Sequence, residues 1–239
     1  MSAPPRPAAG PAVPAAFLRR CAAWTMDMMV PLLAALGLCA GRIADGAARA
    51  AAAFDALAHA MARAMVDLLM ADATPFDLAR RWLDDPVQRT AITALSDAIA
   101  ATVWPPLALA ALLALAWFAA FEASAWQATP GKRALGLRVA DTRGKRIGIA
   151  RAALRHLAGA LSWVTLNIGH LLALVPPRRQ ALHDRVAGTQ VTQAPGTGGR
   201  LPAWAIAWLC LQVALAIVIT AWLFLAAHAA MQQAFDALL

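Results

Sequence analysis

The chain has 239 residues, of which 61% are hydrophobic and only 14% are charged. Soluble domains average about 45–50% apolar and about 25% charged residues, so this composition excludes an ordinary soluble protein. The net charge is +8, but the basic residues lie between apolar runs and accompany no groove-reading motif, so we do not expect a nucleic-acid partner. We expect an integral membrane protein in direct contact with the lipid bilayer.

Residues 1–16 are rich in proline and alanine, which predicts a disordered cytoplasmic tail. The first predicted span follows, from about Phe17 to Gly41. Asp27 is its only charged residue after Arg20. At about 1.5 Å per residue, this stretch covers a hydrocarbon core of about 30 Å.

Residues 42–97 differ in character, because apolar residues recur there at spacings of three and four. That spacing predicts amphipathic helices. Helix starts are predicted at Thr74-Pro75 and at Asp85-Pro86, where a capping residue precedes a proline. Six arginines stand against eight aspartates in these residues, so we expect an extramembrane helical insertion on the extracytoplasmic side.

The second predicted span runs from Ala98 to Phe121 and is free of charge. Residues 124–151 then contain seven basic residues and one acid, Asp141. The positive-inside rule places this loop, and therefore the N-terminus, in the cytoplasm. We expect its basic stretch 132–146 to contact anionic lipid headgroups.

Residues 152–176 allow two interpretations. They are apolar enough to span, but they contain Arg155, His156, Asn167 and His170. A full span would place the arginine-rich residues that follow outside, which the positive-inside rule disfavours. A helix pair that enters and returns, or one that lies in the interface, keeps those residues cytoplasmic.

Two short stretches of β-type sequence, 137–139 and 188–192, predict a two-stranded element, which requires both to lie on the same side of the membrane. A linker at 193–202 leads to the last span and tail, 203–239, whose first 25 residues are uncharged. The fold class predicted is therefore an all-α membrane protein with three to four transmembrane helices, a helical insertion and a small cytoplasmic β element.

Asp27 is the principal candidate for function. A carboxylate inside a span costs about 2.5–3.5 kcal/mol, so it needs a partner or a role, and both a structural contact and a transport role fit. Arg20 lies two turns earlier on the same face, about 10 Å away, so we expect each residue to have another partner. His183, Asp184 and Arg185 form a charged triplet, which fits either a local ion-pair network or a ligand site.

Thr129-Pro130-Gly131-Lys132 lacks the upstream glycine of a phosphate-binding loop. We interpret it as a tight turn that exposes Lys132 to lipid phosphates. Glu122 could neutralise Lys132 or Arg20. The sequence contains no HExxH or GxSxG motif, and its histidines are scattered, so we expect no enzyme, cofactor or metal site.

These residues together resemble the RDD family of bacterial multi-pass membrane proteins, named for one arginine and two aspartates. Arg20, Asp27 and Asp184 match those three residues. The motifs around them also fit: Thr129-Pro130-Gly131-Lys132-Arg133, Leu135-Gly136-Leu137-Arg138-Val139 and Leu182-His183-Asp184-Arg185, followed by Gly188-Thr189. The resemblance covers about 17–41 and 98–192, within a membrane domain of 17–192. It implies a bacterial cytoplasmic membrane and a transport role for an unidentified ligand.

The functional hypothesis is therefore binding or transport of an ion or small solute. Its candidate site comprises Arg20, Asp27, Glu122, Lys132, His183, Asp184 and Arg185. Three to four spans are few for a transporter, and this hypothesis therefore requires a homo-oligomer. The alternative is a non-transporting accessory or scaffold protein that binds a partner protein or anionic lipid.

Overall fold

The computed structural model describes residues 13–70, 74, 76, 80, 84–194 and 200–238. The chain divides into two compact units, one within Met1–Ala34 and Ala110–Leu211, the other within Ala35–Leu109 and Gln212–Leu239. In chain order the elements are β1 (Val13–Pro14), α1 (Phe17–Leu38), α2 (Ala40–Met70), α3 (Pro86–Ala123), α4 (Pro130–Ala134), β2 (Leu137–Asp141), α5 (Ile149–Val164), α6 (Ile168–Leu171), a 3-10 turn (Leu172–Leu174), α7 (Leu182–Val186), β3 (Thr189–Gln193) and α8 (Ala203–Asp236).

Three helices in the described part of the chain, α1, α3 and α8, are long and apolar enough to cross a membrane. This confirms the prediction of a helical multi-span protein. Helix α3 begins at Pro86, as predicted, and continues without a break into the span predicted from Ala98. At its start, the Asp85 carboxylate accepts a 2.8 Å hydrogen bond from the Val87 N–H. The start predicted at Thr74-Pro75 involves residues outside those described.

Helices α1 and α2 are almost continuous. Only Cys39 separates them, and its N–H still donates to the Ala35 carbonyl while its own carbonyl accepts from Ile43 N–H. In the second unit, the helices pack through small residues. Ala58 and Ala62 of α2 and Ala234 of α8 form a buried cluster, with Met231 and Phe235 against it.

The sheet has three antiparallel strands in the order β1-β3-β2. The predicted pairing of β2 with β3 is present, with Val139 opposite Val191. Strand β1 was not predicted: Val13 lies opposite Gln193, and the Ala15 N–H donates to the Val191 carbonyl. The prediction of disorder up to residue 16 is therefore wrong for residues 13–16, and residues 1–12 lie outside those described.

One end of each spanning helix packs against the sheet. Leu137, Val139 and Val191 form one buried cluster with small residues from the start of α1, the end of α3 and the start of α8, namely Ala22, Ala23, Ala119 and Ala205. The strands of this sheet lie about 4.8 Å apart and the helix ends are in contact with it, whereas a bilayer core is about 30 Å thick. These three helix ends therefore lie on the same side of the membrane.

Residues 152–176 do not form one continuous helix. Helix α5 ends at Val164 after 16 residues, about 24 Å, which is shorter than a hydrocarbon core. Leu166 and Asn167 then adopt left-handed φ values of 50° and 65°, which interrupt the helix. Because the paired strands β2 and β3 flank this stretch, the chain returns to the side from which it left, which excludes a full span.

We predict that cysteines introduced separately at Arg143 and Arg178, both exposed, will label from the same side of the membrane. The test uses a cysteine-free background and an impermeant thiol reagent, applied before and after the cells are opened. A cysteine at Asp45 serves as the comparison, because the charge bias predicts that it labels from outside. Reaction of position 178 in intact cells, with 143 protected, would contradict the fold.

Candidate ion-binding site and its charged network

Arg155 of α5 is the residue around which the site is built. Its Nε donates to Asp184 Oδ1 at 2.9 Å, and its Nη1 donates to Glu122 Oε1 and Oε2 at 2.7 and 2.8 Å. All three side chains are buried. Arg155 was noted in the sequence only as a polar residue of an ambiguous segment, so its role was missed. A charged residue within the apolar stretch 152–176 was the signal that could have indicated a functional or structural role for Arg155.

Two more cations extend the arrangement. Arg20 of α1 donates to Asp184 Oδ2 at 2.6 Å and to the Arg179 carbonyl at 3.0 Å. Lys132 of α4 donates to Glu122 Oε1 at 2.5 Å. Arg20, Glu122, Lys132, Arg155 and Asp184, here called the charged network, connect α1, α3, α4, α5 and α7. Of the two partners suggested for Glu122, Lys132 is in contact with it, and Arg20 pairs with Asp184.

Lys132 does not face lipid, so that interpretation of the turn is wrong. Its side chain is only 6% exposed, and its ammonium group lies 4.6 Å from the centre of the Phe118 ring. The buried carboxylate of Glu122 explains this position, since a desolvated carboxylate requires a counter-charge. The neighbouring Arg133 is exposed instead, with its guanidinium 4.3 Å from the centre of the Trp126 ring.

Asp27 is hydrogen-bonded to the turn at 129–131 rather than to a side chain of the charged network, although the charge of Lys132 acts on it. Its Oδ1 accepts a 2.7 Å hydrogen bond from the Gly131 N–H, and its Oδ2 accepts one from the Thr129 hydroxyl. A Cβ at position 131 would lie 2.7 Å from the Ala23 carbonyl oxygen, so only glycine allows this turn to approach α1 so closely. Among the described residues, no Lys, Arg or His forms an ion pair with Asp27.

Arg20 and Asp184 are in direct contact, and Arg20 and Asp27 each have another partner, as their spacing predicted. His183 contributes through its ring, whose Nε2 lies 3.3 Å from Arg155 Nη2. Arg185 is exposed. The triplet 183–185 thus presents its side chains in different directions, and only its first two members join the site.

The electrostatics follow from burial and from opposite charges. Burial, together with the nearby positive charge of Arg155, lowers the pKa of His183 to about 3, so the ring is neutral near pH 7. Burial alone would raise the pKa of Asp184, but Arg155 and Arg20 outweigh burial and hold that pKa below its usual range. The pKa of Lys132 is lowered because burial outweighs the opposing effect of Glu122.

Within the part of the chain that the structure describes, no three or more His, Cys, Asp and Glu side chains are grouped as ligands. The buried carboxylates accept hydrogen bonds from several donors instead. Asp184, for example, also accepts one from the Ala181 N–H at 3.0 Å.

We predict that Arg155→Met will lower the free energy of unfolding by about 3–5 kcal/mol, because it leaves two buried carboxylates without their shared cation. Arg151→Met is the matched control on the same helix. Arg151 is exposed and lies 3.9 Å from Asp141, so its loss should cost at most about 1 kcal/mol. Thermal unfolding of the purified proteins in detergent measures both, and equal effects would contradict a central role for Arg155.

The neutral state of His183 predicts a pH dependence of stability. Its pKa is about 3 when folded and about 6.5 when unfolded. Its contribution to stability is therefore fully present above about pH 6.5 and is lost as the pH falls toward 3. His183→Gln should reduce the fall in melting temperature between pH 7 and 4.5, whereas His59→Gln, at an exposed histidine, should not. Parallel curves for the wild type and His183→Gln would refute this.

Comparison with known proteins agrees with the helical membrane fold described above. The model of the RDD family, a bacterial membrane protein family, matches residues 14–188. The chain is also 28% identical over 87 residues to an uncharacterized protein, YxaI, of Bacillus subtilis (strain 168); this match covers 36% of the chain and 57% of that relative's length. No solved structure matches the chain. Because the family model covers most of its length, the chain belongs to the RDD family.

Proposed function

We propose that this RDD-family membrane protein binds a small ion and carries it across the bilayer, with Asp27 as the residue that exchanges the ion. The observation that carries the proposal is the environment of Asp27. It is a buried carboxylate in a spanning helix, and its two identified hydrogen-bond donors, the Gly131 N–H and the Thr129 hydroxyl, are uncharged. A buried intramembrane acid without a paired cation is the type of group that a proton or a cation can neutralise.

The charged network supports ion exchange at Asp27 because it pairs the other two buried carboxylates with cations. Glu122 and Asp184 are already neutralised by the three cations of the network, which leaves Asp27 as the acid available for exchange. The side chain of Arg20 is 11% exposed, so the network reaches the surface at one edge. The positive-inside rule assigns that edge to the cytoplasm of a bacterial inner membrane.

We predict that Asp27→Asn will reduce ion flux at least tenfold while the protein remains folded. Asparagine keeps an acceptor for the Gly131 N–H but removes the charge. The assay reconstitutes the protein in vesicles with a trapped pH-sensitive dye and imposes proton, Na⁺ or K⁺ gradients in turn. Asp45→Asn, at an exposed acid of α2, is the control. An Asp27→Asn protein with normal folding and normal flux would overturn the proposal.

The described residues contain three candidate spans. Three helices are too few to surround a transport pathway, so the transport proposal includes a homo-oligomer. A second candidate function is that of an accessory or scaffold protein. The observation in its favour is that Glu122 and Asp184 each bind two cations, an arrangement that also suits a purely structural clamp between helices. Wild-type vesicles with no more flux than empty vesicles would favour this second function.

A further inference from the structure

Helix α5 has the opposite polarity to a helix of a soluble protein. Its buried face contains Ala152, Arg155, Ala158 and Ser162. Its exposed face consists of large apolar side chains at spacings of three and four, which are Leu154 (47% exposed), Leu157 (57%), Leu161 (52%) and Val164 (83%). A helix that buries its arginine and exposes its leucines is stable only where the surroundings are apolar.

The exposed apolar side chains continue beyond the end of α5. Leu166, Ile168, Leu171 and Leu174 are all exposed, across the interruption and into α6 and the 3-10 turn. Single exposed leucines are common on protein surfaces, but a continuous series of this length marks an interaction surface. We call residues 154–174 with these exposed side chains the leucine face.

Two observations identify what covers the leucine face. The paired strands β2 and β3 return both ends of the segment to one side of the membrane, so the leucine face reaches at most into one leaflet. Exposed basic residues also flank it at both ends. They are Arg143, Lys145, Arg146 and Arg151 before it and Arg178 and Arg179 after it. Apolar side chains between basic residues match a leaflet of anionic phospholipid.

We propose that residues 149–179 form an interfacial element whose leucine face inserts into the acyl chains of one leaflet while its flanking basic residues bind anionic headgroups. This element is separate from the three spans and from ion exchange at Asp27. Its opposite face carries Arg155 into the charged network, so lipid and the network contact the same helix from two sides.

The first test measures the depth of the leucine face in vesicles of phosphatidylcholine and phosphatidylglycerol. Nitroxide labels are attached to single cysteines at positions 157, 161 and 164 of the otherwise cysteine-free full chain. Position 143, in the exposed turn, is the aqueous reference, and position 219 of α8 is the bilayer reference. We expect all three labels to be at least fivefold less accessible to a water-soluble nickel complex than position 143, and as accessible to oxygen as position 219.

Three results would overturn the insertion. Access of the nickel complex equal to that at position 143 would show that the leucine face lies in water. Low access of both oxygen and nickel would show that protein covers it, either a second copy or a partner. Depths that pass through the bilayer centre between positions 157 and 164 would show a span.

The second test addresses the headgroups. Spin-labelled phosphatidylglycerol and phosphatidylcholine report the relative association of each lipid with the protein. We expect the preference for phosphatidylglycerol to fall at least twofold in the triple variant Arg143→Gln, Lys145→Gln and Arg146→Gln. The control variant removes the same charge from exposed positions elsewhere: Arg42→Gln, Arg49→Gln and Arg89→Gln. Equal losses in the two variants, or no preference in the wild type, would overturn headgroup binding.

Discussion

The contact of Arg155 Nη1 with both carboxylate oxygens of Glu122, together with the hydrogen bond from Arg155 Nε to Asp184, is the interaction on which the structure around the site depends. A buried carboxylate is unfavourable unless a cation pairs with it, and here one guanidinium pairs with two. Since Glu122 ends α3 and Asp184 lies in α7, this single side chain determines which face of α5 points inward. Arg20 of α1 and Lys132 of α4 supply the other two positive charges of the network.

That constraint explains why the surface of α5 is apolar. Once Arg155 must point inward, the leucines on the opposite face point outward, and that arrangement is favourable only in apolar surroundings. The three-stranded sheet supports the same geometry, because it holds both ends of the segment on one side of the membrane. Arg20 and Asp184 are thus part of a larger arrangement, in which Arg155 and Glu122 have as central a place, whereas Asp27 binds the turn at 129–131.

The two aspartates of the signature differ in their partners. Asp184 accepts hydrogen bonds from two arginines and a backbone N–H. Asp27 accepts them from a hydroxyl and a backbone N–H in the turn at 129–131. A carboxylate bound by two cations keeps its charge, whereas one bound by neutral donors can lose it at lower cost. This difference is the physical basis for proposing ion exchange at Asp27 rather than at Asp184.

The membrane class, at least three spans and the pairing of β2 with β3 could be predicted from hydropathy and alternation. Nearby opposite charges suggested Lys132 as one of two partners of Glu122. The position of Arg155 could not be predicted, because it is 29 residues from Asp184 and 33 from Glu122 in the chain. Periodicity shows that α5 has two faces, but it does not show which one is buried. In water the leucines would point inward, whereas in a bilayer the charges do, because lipid solvates leucine and only protein can solvate the arginine.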